Sequence, residues 1–171
     1  MSDFFRTIVK NLNDENTTIA SDGMASGEFG ATIDTGAYIL NAALSGTIKG
    51  GIPNNKVLCF AGESATGKTF FALGVVKRFL TDNPSGGVFY FDTEAAVTKD
   101  MMEERGVDTS RVIISEPESV QQFRHNAIQI LDNYIKSDEK PPMLMVLDSL
   151  GQLSTSKELE DTAEGKETRD M

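Results

Sequence analysis

Eight residues constrain this chain more than anything else in it: Gly62-Glu63-Ser64-Ala65-Thr66-Gly67-Lys68-Thr69, a full match to G-x-x-x-x-G-K-[ST]. A short apolar run, Val57–Ala61, precedes them. The segment Phe70–Leu80 follows, with Phe71, Leu73, Val75, Val76 and Phe79 on too many sides for an exposed helix. The run predicts a strand and the later segment a helix, so the octet turns the chain between them. Its glycines let the backbone curl until successive N–H groups converge, and the helix N-terminus adds the positive end of its dipole. Such a loop cradles phosphate. Gly62, Glu63, Ser64, Ala65, Thr66, Gly67, Lys68 and Thr69 are therefore the candidate nucleotide-binding residues. Lys68 is expected to reach the β- and γ-phosphates and the Thr69 hydroxyl to ligate Mg²⁺, which makes ATP and Mg²⁺ the implied cofactors.

The pattern beyond the octet alternates. Val88–Phe91 reads as a second strand, entered through the turn Pro84-Ser85-Gly86-Gly87. A short helix follows at Lys99–Arg105, stopped by Gly106, and Val112–Ile114 is a third strand. Val120, Phe123, Ala127, Ile130, Leu131 and Tyr134 recur at helical spacing, with Pro117 suited to the first turn. Met143–Leu147 is a fourth strand closing on Asp148. Strands alternating with helices predict an α/β fold, a mainly parallel sheet with helices covering its faces. Upstream, Phe4, Phe5, Ile8, Val9 and Leu12 form one stripe of a helix too short to be stable alone. That stripe needs a surface, on its own body or on a neighbouring copy. The polar segment 13–35, with Gly23, Gly27 and Gly30, reads as a linker, and the tail Ser154–Met171 as charged, short of apolar residues and ending without turn, cap or closing strand.

Two acidic positions bear on chemistry. Asp148 ends an apolar strand, where a carboxylate holding the water shell of Mg²⁺ belongs. Asp92 and Glu94 close the strand FYFDTE, and hydrolysis needs a carboxylate to orient and deprotonate water. Strand alternation puts both on one side, so spacing alone does not choose between them. Ser149 is within reach of the same region. The remaining reactive residues read as bland: Cys59 as a small buried hydrophobe inside the first strand, His125 as solvent-facing. Phe89, Tyr90 and Phe91 read as strand core rather than base-stacking rings, and Lys49 and Lys56 as solvated surface.

Composition narrows the setting. Of 171 residues, 26 are acidic and 16 basic, a formal net charge of −10, which disfavours non-specific binding of nucleic acid or anionic membranes by this chain alone. One cysteine excludes an internal disulfide and fits a reducing compartment, and one histidine beside it makes a protein-only zinc site implausible. No stretch has the roughly 18–20 apolar residues of a membrane span, and the first residues do not have the form of a secretory signal.

The series DTGAYILNAALSG, GESATGKT, FYFDTEAAVT, RGVD and LMVLDSLG resembles the RecA/Rad51-type recombinase family, in particular its T4-like phage members. The resemblance runs from about Ile33 to Asp170. It implies a P-loop ATPase core over residues 33–171 and an N-terminal oligomerisation segment over residues 1–32. It implies that Gly62–Thr69 is Walker A, Asp148 Walker B, and Glu94 the residue that activates water. It also implies filaments of the complete protein on single-stranded DNA, in the cytoplasm of a host cell if the chain is phage-encoded. Another RecA-core motor (a helicase or a KaiC-like ATPase) and a non-catalytic interaction module are the alternatives. Only the first DNA-binding loop of the family falls inside this chain, within Lys157–Thr168, and it is mostly acidic. The family's next strand lies between the Walker A and Walker B strands. Without it the chain alone is expected to be poorly stable, oligomeric, or rearranged so that its first and fourth strands pair. Weak or absent DNA binding by this chain alone is expected from its charge.

Overall fold

The computed structural model describes residues 2–14, 17–22 and 30–165. The chain forms two compact units, one of Met1–Ile33 with Ala37–Cys59, the other of Asp34–Gly36 with Phe60–Met171.

In the first unit, helix α1 spans Asp3–Leu12 and buries none of its residues. Phe4, Phe5, Ile8 and Leu12 are all exposed along its apolar stripe. Strands β1 (Thr32–Ile33) and β2 (Ile52–Pro53) pair antiparallel, and helix α2 (Tyr38–Ser45) lies between them in the chain. Gly46 ends α2 in the left-handed region at φ 74°, and its amide donates to Ala42 O at 2.9 Å, a C-cap a β-carbon would strain. The fully buried Asn41 amide donates to Ile48 O at 3.1 Å and closes the turn that follows. The segment 13–35 read as a linker thus contributes β1. Gly23 and Gly27 lie outside the described residues.

The second unit is built on a parallel sheet of three strands in the order β4-β3-β5: β3 is Gly87–Asp92, β4 Val112–Ser115 and β5 Met143–Asp148. The register aligns Tyr90 with Ile114 and Val146, and Asp92 with Asp148. Helix α3 (Lys68–Asp82) buries Leu73, Val75, Val76, Phe79 and Leu80. Each such side chain is worth about 1.5–3 kcal/mol when removed from water, so α3 anchors the unit. Helix α4 (Lys99–Glu104) is capped by the Thr98 hydroxyl. Helix α5 (Val120–Lys136) is capped by Ser119. Pro117 therefore sits before the cap rather than in the first turn. The Phe91 and Phe123 rings meet edge to face at 4.9 Å, which seats α5 on the sheet face opposite the one carrying Val88, Tyr90 and Asp92.

The structure departs from the sequence expectations at several places. Val57–Ala61 forms no strand and Cys59 is exposed, not buried. A single extended run gains backbone hydrogen bonds only from a neighbouring strand, and β5 pairs with β3 on one edge alone among the described residues. Of the three outcomes expected without the family's next strand, pairing of the first and fourth predicted strands is not seen among the described residues. The sheet is also less covered than its sequence suggests: every residue of β5 is half-buried, and Ile113 and Ile114 of β4 are exposed. Within the charged tail, Ser156–Ala163 is helix α6, opened by a full capping box between Thr155 and Glu158. The described part of the segment resembling a DNA loop is therefore largely helical.

Candidate functional site

The octet begins as an exposed loop, turns at Ser64–Ala65 and enters α3 at Lys68. Two positions force the curl. Gly67, the N-cap, has φ 92°, and Ala65 is held at φ 61°, a conformation costly for a residue with a β-carbon. No side chain caps the N-terminus of α3, so its first-turn amides are not claimed by a capping group. The Thr66 hydroxyl donates to Glu63 O at 2.8 Å and closes the loop on itself. The Lys68 ammonium folds back to Gly62 O at 3.0 Å and Glu63 O at 2.7 Å, so its charge sits over the loop mouth.

From α3, Thr69 reaches the sheet. Its hydroxyl donates to Asp148 Oδ2 at 2.7 Å, across 79 positions of sequence. The same oxygen accepts from the Tyr90 hydroxyl at 2.8 Å. Tyr90 is fully buried, and its phenol pKa is raised, first by burial, then by the hydrogen bond to Asp148, then by the charges of Asp148 and Asp92. The phenol therefore stays protonated and serves as a donor.

Beyond the ladder, the ends of β3 and β5 are laced together. Thr93 N donates to Asp148 O at 2.9 Å, Ser149 N to Thr93 Oγ1 at 2.8 Å, and Thr93 Oγ1 to Ser149 O at 2.8 Å. The peptide Asp148–Ser149 is cis. The Ser149 hydroxyl then donates to Glu94 Oε1 at 3.1 Å. Two consecutive residues of β5 and its exit thus link Thr69 to Glu94.

Structure separates the carboxylates that spacing left together. Asp92 is 2% exposed and accepts from Glu94 N at 3.2 Å and Val97 N at 2.8 Å, so it organises the turn after β3. Glu94 is exposed, and its carboxylate faces the Ser149 hydroxyl. Tyr90 and Thr93 are the residues that sequence reading missed. Tyr90 was legible only as an apolar strand position, although its place two residues before Asp92 puts it on the acidic face of the sheet. His125, Lys49 and Lys56 are exposed.

The donor set fits Mg²⁺ held with a nucleotide. One hydroxyl and one carboxylate already in contact, beside a lysine and an uncapped helix start, match an ion that keeps most of its ligands as phosphate oxygens and water. Among the described residues no cluster of three or more His, Cys, Asp or Glu side chains gathers anywhere, and no helix is long and apolar enough to cross a membrane.

The chain matches the family described as RecA N-terminal domain over residues 7–170. It is similar to the recombination and repair protein of Enterobacteria phage T4, with 35% identity over 133 residues, 78% of this chain and 33% of that protein. Protein RecA of Malacoplasma penetrans is 29% identical over 132 residues, 77% of this chain and 37% of its own length. Protein RecA of Mycoplasma genitalium is 29% identical over 165 residues, 91% of this chain and 45% of its own. The chain therefore spans between a third and somewhat under half of the length of these relatives.

Proposed function

The chain belongs to the RecA N-terminal domain family, and from that membership we propose that it carries the nucleotide site of an ATP-dependent recombinase that forms filaments on single-stranded DNA. The carrying observation is the 2.7 Å hydrogen bond from Thr69 of the glycine loop to Asp148 at the end of β5. It joins a phosphate-type loop to a carboxylate 79 residues away, as a Mg²⁺-nucleotide site requires. In this reading residues 33–171 form a P-loop core. Gly62, Glu63, Ser64, Ala65, Thr66 and Gly67 wrap the phosphates, Lys68 exchanges its loop carbonyls for phosphate oxygens, and Thr69 with Asp148 holds the metal's shell. Mg²⁺, when bound, supplies positive charge against the phosphate oxygens. Glu94, solvent-facing and oriented by Ser149, is the base that positions water; Asp92 has both oxygens engaged by backbone amides and is not. Residues 1–32 serve oligomerisation, which the exposed stripe Phe4, Phe5, Ile8 and Leu12 supports. Single-stranded DNA is a partner of the complete protein in the cytoplasm, bound weakly or not at all by this acidic chain.

The test is ATP turnover by the intact protein with and without single-stranded DNA. Lys68→Ala is expected to lose nucleotide affinity. Glu94→Gln is expected to keep it and to lose turnover by about 10²-fold or more. Wild-type turnover by Glu94→Gln would remove the base assignment, and no nucleotide binding by the wild type would remove the whole reading.

A further inference from the structure

Among the described residues, Asp148 is held through one carboxylate oxygen. Both donors on its side chain, Thr69 Oγ1 and Tyr90 OH, converge on Oδ2. The carboxylate torsion of aspartate is soft, so a single contact from Thr69 would leave the group free to rotate. Tyr90 supplies the second point. It stands in β3, the central strand, register-paired with Val146, two positions before the Asp92–Asp148 pair. That diagonal is within reach of a tyrosine on the same face, and the ring is fully buried, so the hydroxyl is a fixed point. Thr69, by contrast, rides at the start of α3 beside an exposed loop.

Resting on the nucleotide-site reading above, we propose that Tyr90 is a positioning residue for the metal-side carboxylate: its hydroxyl pins Asp148 Oδ2 and keeps Oδ1 for the water shell of Mg²⁺. Tyr90 touches neither nucleotide nor metal. It acts through Asp148, and its loss loosens metal retention without touching the phosphate loop.

The experiment compares wild type and Tyr90→Phe in the intact protein. A fluorescent ATP analogue is titrated without metal and then, at fixed analogue, against Mg²⁺. Tyr90→Phe is expected to leave metal-free nucleotide affinity within about twofold and to raise the Mg²⁺ half-point about ten- to hundredfold, the range for one hydrogen bond to a charged group. A merely structural role would shift the unfolding midpoint or both affinities together. An unchanged Mg²⁺ half-point in the folded variant overturns the proposal while leaving the nucleotide site standing. If wild type binds no nucleotide, both fall. Should Tyr90→Phe not fold, 3-fluorotyrosine at position 90 retains ring and hydroxyl. Its fluorine resonance is expected to move with the Mg²⁺ half-point at saturating ATP and to stay still in Asp148→Asn; a resonance indifferent to Mg²⁺ overturns the proposal.

Discussion

Asp92 and Asp148 are register partners at the ends of β3 and β5, and their carboxylates are satisfied by different kinds of donor. Backbone amides of Glu94 and Val97 take Asp92, whereas the hydroxyls of Thr69 and Tyr90 take Asp148. Adjacent like charges on one sheet face are unfavourable unless such donors offset them. The backbone holds Asp92 for structure; side chains from two elements hold Asp148, and side chains can rearrange around a ligand.

Asp92→Ala is expected to destabilise the protein by about 2–4 kcal/mol, since it leaves two amide groups of the turn without their acceptor. Glu94→Gln, at an exposed position, should change stability by no more than about 0.5 kcal/mol. Chemical denaturation of the two variants checks this, and equal losses would contradict the division of roles between the two carboxylates.

Arg111 closes the C-terminal end of α3. Its guanidinium donates to Leu80 O and Asn83 O, both at 2.9 Å, and to Pro84 O at 3.2 Å, while its Nε meets Asp108 at 2.8 Å. A positive fork here satisfies carbonyls at the negative end of the helix dipole. Arg111→Lys is expected to cost about 1–2 kcal/mol, because a point charge cannot serve several divergent carbonyls at once. Thermal melts read the loss; an unaltered midpoint would show the clamp to be dispensable.

The start of α6 should respond to acid. Glu158 is held below its ordinary value of 4.5, first by the backbone amide of Thr155 and then by the Thr155 hydroxyl. A carboxyl with a depressed folded pKa favours the fold when charged. Its contribution is complete above 4.5 and disappears as pH falls through the lower folded value. Amide resonances of Thr155 and Glu158 are expected to shift together below that pH, and Glu158→Ala should abolish the step. Asp108 is lowered likewise, by the Ser110 hydroxyl and then by Arg111, and follows the same sign.

Cys59 offers a direct probe of the apolar run before the glycine loop. Its thiol is exposed and Val57 is fully so, which is incompatible with a central strand position. A thiol reagent should modify Cys59 stoichiometrically in the native chain, at a rate near that of the unfolded chain. The edge of β5 that pairs with no strand among the described residues should also drive self-association that grows with concentration, measurable by sedimentation. Strong protection of Cys59 at low concentration would place the run in a paired strand instead.

Local chemistry made much of this legible in advance. Helix α3 and strands β3, β4 and β5 appear within one or two residues of their sequence boundaries, because each carries a strong apolar period bounded by turn residues. Thr69 and Asp148 were recognisable one by one, from a loop pattern and from a strand-ending carboxylate. Tyr90 was not, because an aromatic in an apolar strand looks the same whether its hydroxyl meets water or an aspartate. Val57–Ala61 failed for the opposite reason: its composition is that of a strand, but a strand exists only with a hydrogen-bonded neighbour.

By itself, then, the sequence determined what is encoded over short spans: the succession α3, β3, α4, β4, α5 and β5, the glycine loop at the start of α3, and the acidic ends of β3 and β5. Tertiary structure alone decided which edges pair, that Asp92 is spent on backbone while Glu94 faces solvent, and that Thr69 and Tyr90 meet on one oxygen of Asp148. The physical reason is range. Period and turn chemistry act over a few residues, whereas hydrogen bonds across 58 and 79 positions exist only once the sheet has set its register.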